Sequence, residues 1–491
     1  MRQITPRAVP TLDRMAKSDK PIPTGRIRRT AKIGGLIGGT TAKGYATKAT
    51  NLGRTKDGRE AAAERRQIEA AEQIVDVLGQ MKGAAMKVGQ VASFIDTGTF
   101  PPEVAERLQA KLAELRDSAP KVSFKDMRKV IESDLGEPVG QVFAEFDEQA
   151  IAAASIGQVY RARLHDGRRV AVKVQYPGVA AAVRSDLQNL GLILRVAKRI
   201  APGMDAKAMA TELRERLTEE LDYEHEAQQQ RAFAREWRGH PFIVIPDVVT
   251  SLCREHVLVT EYVEGMGFED VKKLPAAERD RYGEIVFRFF YGSLYRHRHF
   301  SGDPHPGNFM LLPDGRVAFL DFGMSKQVSR EQLEGERELF RAGFAGDVDG
   351  LHRQLAALGF FDADDPEVVP ERVMEHFLAA TGWYSEDRRF TIDVDYVRQV
   401  MIDVGDPRSE FFPLMKRETL PPEAMLARRM EALTLGVLGQ LRATANWHAI
   451  SAEWLFGGPP ATPLGRQEAE YFGSSPDGAA ARERREARRA A

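Results

Sequence analysis

Asp303, Asn308 and Asp321 are the residues whose types and spacing could do chemistry. They lie in one stretch, residues 300–323, FSGDPHPGNFMLLPDGRVAFLDFG. Asn308 follows Asp303 by five positions. A Pro-Asp-Gly turn at 313–315 joins two short apolar runs, 309–312 and 317–320, and the second run ends in Asp321-Phe322-Gly323. The pattern predicts a loop, a β-hairpin and an acidic residue at the hairpin's exit. A carboxylate on such a loop can face an attacking nucleophile. An asparagine and a second carboxylate are hard oxygen donors suited to Mg²⁺ beside phosphates. The chemistry is phosphoryl transfer. Each of these residues alone is also ordinary turn material; their order together carries the signal.

The elements that must position them lie upstream. At Ile151 the pattern changes from helical to strand-like: residues 151–164, IAAASIGQVYRARL, read as strand, loop and strand, 165–168 as a turn, and 169–174 as a third strand. In protein-kinase-like folds, which this arrangement resembles, a Gly-rich loop G-x-G-x-x-G-x-V covers the phosphates. Here the matching positions hold Ala152, Ala154, Gly157 and Val159, so Ala152, Ala153, Ala154, Ser155, Gly157 and Val159 are the candidate nucleotide contacts. Alanine takes positive φ only at a steric cost that glycine avoids, so this loop should be stiffer. Lys173 stands in V-A-V-K, where kinases place the lysine on the α- and β-phosphates. Alone it would read as a solubilising edge-strand lysine. Within EELDYEHE, residues 219–226, Glu220 is the expected orienting partner of Lys173, with Asp222 and Glu226 nearby. Taken singly, each of these acids suits a solvated helix face equally well. Segments 244–249 and 256–263 are expected to complete a five-stranded lobe, with Glu261 and Val263 in a hinge over the adenine.

Helical spacing marks 59–95, 102–115, 123–135, 179–200, 206–237 and 281–299. Ser123-Phe-Lys-Asp126 has the look of a capping box. Lys87 and Gln90 form a K-x-G-Q on the first helix; on spacing alone this is a packed helix with a surface lysine. After Gly323 the chain is expected to go promptly into helix, leaving no long activation segment.

The 491 residues suffice for two or three domains. A net charge of −1 removes any global basic signal for nucleic acid. The charge is uneven: residues 1–60 carry 14 Lys/Arg against 4 Asp/Glu. With the Gly-rich run at 31–43, this basic arm is either a solvated tail or a segment that sits on an anionic membrane surface. Cys253 is the only cysteine, which excludes internal disulfides and cysteine metal sites and suits a small core residue. No secretory signal is seen, and no run reaches the ~18 apolar residues of a membrane span. The expected location is cytoplasmic, with peripheral contact on the inner face of the membrane.

Taken together, MKVGQ at 86–90, AAASIGQVYRARL at 152–164, VAVKVQYPGV at 170–179, EELDYEHEA at 219–227, VLVTEYVEG at 257–265, GDPHPGN at 302–308 and FLDFG at 319–323 resemble the UbiB/AarF (ADCK-like) family of atypical protein-kinase-like proteins. The resemblance implies an α+β, bilobal protein-kinase-like fold. It implies a basic arm at 1–60, an added helical element with K-x-G-Q at 61–140, an N-lobe at 141–264, a mostly helical C-lobe at 265–456 and a flexible tail at 457–491. It implies ATP or ADP with Mg²⁺, the metal on Asn308 and Asp321, and Asp303, Lys173 and Glu220 in catalytic roles. Lys87, Gln90 and Asp222 carry over as family-motif residues. A lipid or isoprenoid-quinone precursor is the implied partner. Two departures stand out: Ser301 where many relatives have His, and His305 where protein kinases usually have Lys. The expected function is an ATPase or a small-molecule or lipid kinase. The alternatives are a nucleotide-switched binding module and, after it, a protein kinase.

Overall fold

The computed structural model describes residues 122–154, 156–181, 183, 221–406 and 409–474. Lys87, Gln90, Ser155 and Glu220, the basic arm and most of the expected helices at 59–115 and 179–220 lie outside these residues.

Five antiparallel strands form the first sheet: β1 (Phe143–Phe146), β2 (Ala152–Ala154), β3 (Gly157–Leu164), β4 (Arg169–Gln175) and β6 (Val257–Glu261). The order is β1-β3-β4-β6, with β2 folded back on β3. In β4 the side chains of Val170, Val172 and Val174 are fully buried while those between them are more open, the period of two that one covered face requires. Gly157 pairs with Gln175, and a Cβ there would overlap the Val174 carbonyl oxygen, so only glycine allows β3 and β4 to approach as they do. The fifth strand is not the expected 244–249. β5 (Ile243–Val244) instead pairs in parallel with β9 (Val317–Phe319) in a second sheet, which β8 (Phe309–Leu311) completes. Pro246 has no N–H to continue a ladder. The bridge Val248–Thr260 and a hydrogen bond from Asp247 N to Glu261 Oε2 tie the rest of that segment to β6. β1, ahead of the nucleotide loop, supplies the missing strand.

Helix α1 (Phe124–Leu135) starts where the capping pattern placed it, the Ser123 hydroxyl accepting from Asp126 N. Its Met127 and Ile131 are fully buried in the core of the first sheet. Helix α2 (Tyr223–Glu236) begins at Asp222, whose carboxylate accepts from the backbone of Glu224 and His225. Cys253 is buried in the same core.

A second, larger core surrounds α3 (Ala276–Gly292), which is buried on nearly all sides from Tyr282 onward. Helix α3 runs into a π turn, Ser293–His297, that ends at Arg298 with φ of +56°. The expected helix to residue 299 therefore stops short, and β7 (His299–Ser301) pairs instead with β10 (Ser325–Gln327). Around α3 pack α4 (Arg330–Ala345), α5 (Val348–Ala357), α6 (Pro370–Ser385), α7 (Val394–Gly405), α8 (Pro422–Leu441) and α9 (Trp447–Leu455). No helix among the described residues is long and apolar enough to cross a membrane.

The expected flexible tail contains a helix, α10 (Pro463–Ser474). Buried charge holds it in place. Arg288 on α3, with its side chain fully buried, pairs with Glu284 at 2.7 Å, Glu453 at 2.9 Å and Glu468 at 2.7 Å. Arg296 also reaches Glu468, at 3.2 Å, and the Tyr471 hydroxyl donates to the Arg238 carbonyl at 2.6 Å. Composition hid this helix because Glu468, buried beside Leu464 and Tyr471, is a residue type that normally marks a solvated surface. Arg288→Ala would leave buried carboxylates without their guanidinium. It is expected to cost about 3–5 kcal/mol in a urea unfolding titration.

Candidate active site

Lys173 on β4 points toward the second half of the molecule, its side chain 18 % exposed. Its ammonium donates to both Glu226 oxygens, at 2.7 and 2.9 Å, and to Asp321 Oδ2 at 3.4 Å. It also lies 5.0 Å from the centre of the Tyr223 ring. Burial disfavours the charge, but the Asp321 and Glu226 carboxylates outweigh it and hold the pKa above the ordinary lysine value. Glu226 is therefore a carboxylate on Lys173, while the expected Glu220 lies outside the described residues. Once Asp222 starts α2, the buried positions are Tyr223, Glu226, Ala227, Gln230, Phe233 and Ala234, a helical stripe that turns Glu226 inward. Asp222 itself serves as the helix cap.

Asp321 follows β9. Its Oδ1 accepts from Gly323 N at 3.1 Å. The next residue, Phe322, is fully buried against Phe233 of α2, ring centres 4.8 Å apart. The hairpin is closed as the Pro-Asp-Gly pattern predicts: Gly315 takes φ of +80°, Gly315 N donates to Leu312 O and Leu312 N to Arg316 O.

Asp303 is 5 % exposed and held from two sides. Asn308 Nδ2 donates to its Oδ2 at 3.0 Å, and Arg429 of α8 donates from Nη2 to its Oδ1 at 2.8 Å. Arg429 Nε also donates to Gly302 O at 3.1 Å. Sequence reasoning missed Arg429. The available signal was an Arg-Arg pair, 428–429, inside a mostly apolar helix, where a buried charge needs a partner. Ser301, at the position where relatives carry His, lies in β7 and accepts from Asp303 N through its hydroxyl at 3.4 Å. His305 is exposed at the cleft, with Nδ1 accepting from Gly307 N at 3.1 Å.

One cleft brings these groups together. It is lined by Ala152, Ala153, Ala154, Val159, Lys173, Glu261, Val263, Asp303, Asn308 and Asp321. Gly157 is not part of its wall; it serves the β3–β4 contact. Asn308 and Asp321 fit a Mg²⁺ ion. The Asn308 amide nitrogen is spent on Asp303, which leaves its carbonyl oxygen for a hard cation, and Mg²⁺ bound with a nucleotide commonly needs only one or two protein ligands besides phosphate. Glu226→Gln keeps size and removes the charge opposite Lys173. It is expected to weaken Mg²⁺-ATP binding about tenfold in a fluorescent-nucleotide titration, with Tm shifted by only a few degrees, given that one paired charge contributes about 1–3 kcal/mol.

Comparison with known proteins matches the geometry. Residues 114–355 match the ABC1 atypical kinase-like domain. The atypical kinase coq-8, mitochondrial, of Caenorhabditis elegans is 30% identical over 467 residues, covering 91% of this chain and 60% of that protein. The atypical kinase COQ8B, mitochondrial, of Rattus norvegicus is 32% identical over 375 residues, covering 74% of this chain and 70% of that protein. The solved structure of Rv3197 in complex with erythromycin, from Mycobacterium tuberculosis, is 31% identical, covers 83% of this chain and all of its own, and aligns with a TM-score of 0.58. The α+β architecture is that of a kinase-like domain, and the chain belongs to the ABC1 atypical kinase-like family, the UbiB/AarF group that its motifs resemble.

Proposed function

We propose that this protein is a Mg²⁺-dependent ATPase or small-molecule or lipid kinase that supports isoprenoid-quinone or related lipid metabolism at a membrane surface. The observation that carries this is the convergence of Lys173, Asp321, Asn308 and Asp303 on one cleft, with Lys173 held by Glu226. Lys173 holds the phosphates. Mg²⁺ on Asn308 and Asp321 supplies charge neutralisation at the phosphate oxygens. Asp303 orients the attacking hydroxyl or water. Arg429 and Asn308 hold its two oxygens in place. The quinone assignment rests on the motif resemblance and on the COQ8 names of relatives. The chain spans 60% and 70% of those two relatives.

A nucleotide-switched binding module is the second reading. Ala152–Ala154 favour it, since this strand pairs in register with Gly157–Val159 and replaces a freely bending glycine loop. The membrane assignment rests on the basic arm, and sedimentation with anionic liposomes with and without residues 1–60 tests it; unchanged binding after deletion removes the arm as anchor.

Mg²⁺-dependent ATP hydrolysis by the full chain, with and without anionic liposomes, tests the main reading. Asp321→Asn is expected to lower turnover by at least a hundredfold while the far-ultraviolet circular dichroism spectrum is retained, and excess EDTA is expected to abolish turnover. Equal turnover in the variant would refute the assignment. No turnover of the unmodified chain in either condition, with nucleotide still bound, would leave the binding module.

A further inference from the structure

Helix α2 does more than carry Glu226. Glu226, Gln229, Phe233 and Glu236 follow one another at helical spacing, which puts them on one side of the helix. Glu226 meets Lys173 near the start of this stripe. The other three close around one side chain from outside the helix, His299. The imidazole Nδ1 donates to Glu236 Oε2 at 3.0 Å, the Gln229 amide group meets Nε2 at 3.0 Å, and the ring lies against Phe233 with centres 4.0 Å apart. His299 is 1% exposed. Buried polar groups are costly to leave without partners, so α2 cannot slide or turn past this ring cheaply.

The strand that carries His299 leads to both acids of the cleft. β7 pairs with β10 in the register His299–Gln327 and Ser301–Ser325. Asp303 comes just after β7, and Asp321 just before β10. Gly302 N donates to Met324 O at 2.7 Å, which extends the ladder to the foot of the Asp303 loop. Phe233, against which the His299 ring lies, also packs on Phe322, the neighbour of Asp321. One ladder thus presents Asp303 and Asp321, and His299 ties it to the helix that presents Glu226. His299 falls outside the motif segments that mark the site and does not line the cleft.

We infer that His299 is a positioning residue for phosphoryl transfer: it fixes α2 against the β7–β10 ladder and so delivers Glu226 to Lys173 in register with Asp303 and Asp321. The inference rests on the reading of these groups as a phosphoryl-transfer site and names a residue behind the cleft on which that site depends.

The test is a fluorescent-ATP titration with Mg²⁺ on the full chain, as a double-mutant cycle of His299→Phe with Glu226→Gln. Phenylalanine keeps a ring against Phe233 and loses both polar contacts. His299→Phe is expected to weaken ATP binding at least fivefold. In the Glu226→Gln background the same change is expected to weaken it less than twofold, because the group that His299 positions is already lost. His299→Asn, which can keep an N–H toward Glu236, is expected to stay within twofold of the unmodified chain. Glu236→Ala removes the same bond from the helix side and is expected to behave as His299→Phe does, should that variant fold poorly. Undiminished binding in both folded single variants, or equal losses with and without Glu226, overturns the inference. Amide hydrogen exchange of residues 223–236 separates this outcome from failure of the site reading. An unmodified chain that binds no nucleotide overturns the phosphoryl-transfer reading; at least tenfold faster exchange in His299→Phe would still uphold the tie to α2, and unchanged exchange would overturn that as well.

Discussion

The positive charge of Lys173 is the constraint around which the cleft is assembled. One ammonium, largely removed from water, must find anionic partners, and it finds them on two other elements: Glu226 on α2 and Asp321 at the exit of the β8–β9 hairpin. Sheet, helix and hairpin are thereby held in one arrangement by a group that no apolar contact could replace. Burial without those carboxylates would drive the lysine toward neutrality. Phe322 reinforces the same geometry with apolar packing, since its ring is buried against Phe233 on the helix that carries Glu226.

A second support reaches the site from far along the chain. Arg429 lies on α8, yet it binds both the carboxylate of Asp303 and the carbonyl beside it. The loop between β7 and β8 is thus fixed from below by a buried guanidinium, from its own turn by Asn308, and at its start by Ser301. The histidine of many relatives is absent at Ser301, but a serine hydroxyl there still meets the Asp303 backbone. Positioning of this loop is therefore distributed over several elements rather than dependent on one residue.

Much of this was legible in the sequence because it is local. The hairpin, its turn, the order of Asp303, Asn308 and Asp321, the lysine on its strand and the capped start of α1 all follow from spacings of a few residues. What was not legible depends on phase and on distance. Five acidic residues in EELDYEHE look alike until the Asp222 cap sets the start of α2 and so determines which one turns inward. Whether 244–249 joins the first sheet or the second depends on Pro246 and on a parallel partner some seventy residues later, which no local pattern encodes. Arg429 and Glu468 are charged residues buried by partners remote in sequence, and composition places both types on the surface.

Cys253 has a practical consequence. Its thiol is buried beneath β6, accepted by the Val249 and Val259 carbonyls, and burial raises its pKa. Since thiolate is the reactive form, this group is a poor nucleophile toward soluble reagents. The chain holds no other cysteine. Maleimide dyes or nitroxides can therefore be attached at a chosen pair of introduced thiols with little background from the native chain. One label on exposed Arg161 of β3 and another on exposed Arg330 of α4 would report, by resonance energy transfer or dipolar spectroscopy, how far the two halves of the cleft move when nucleotide arrives.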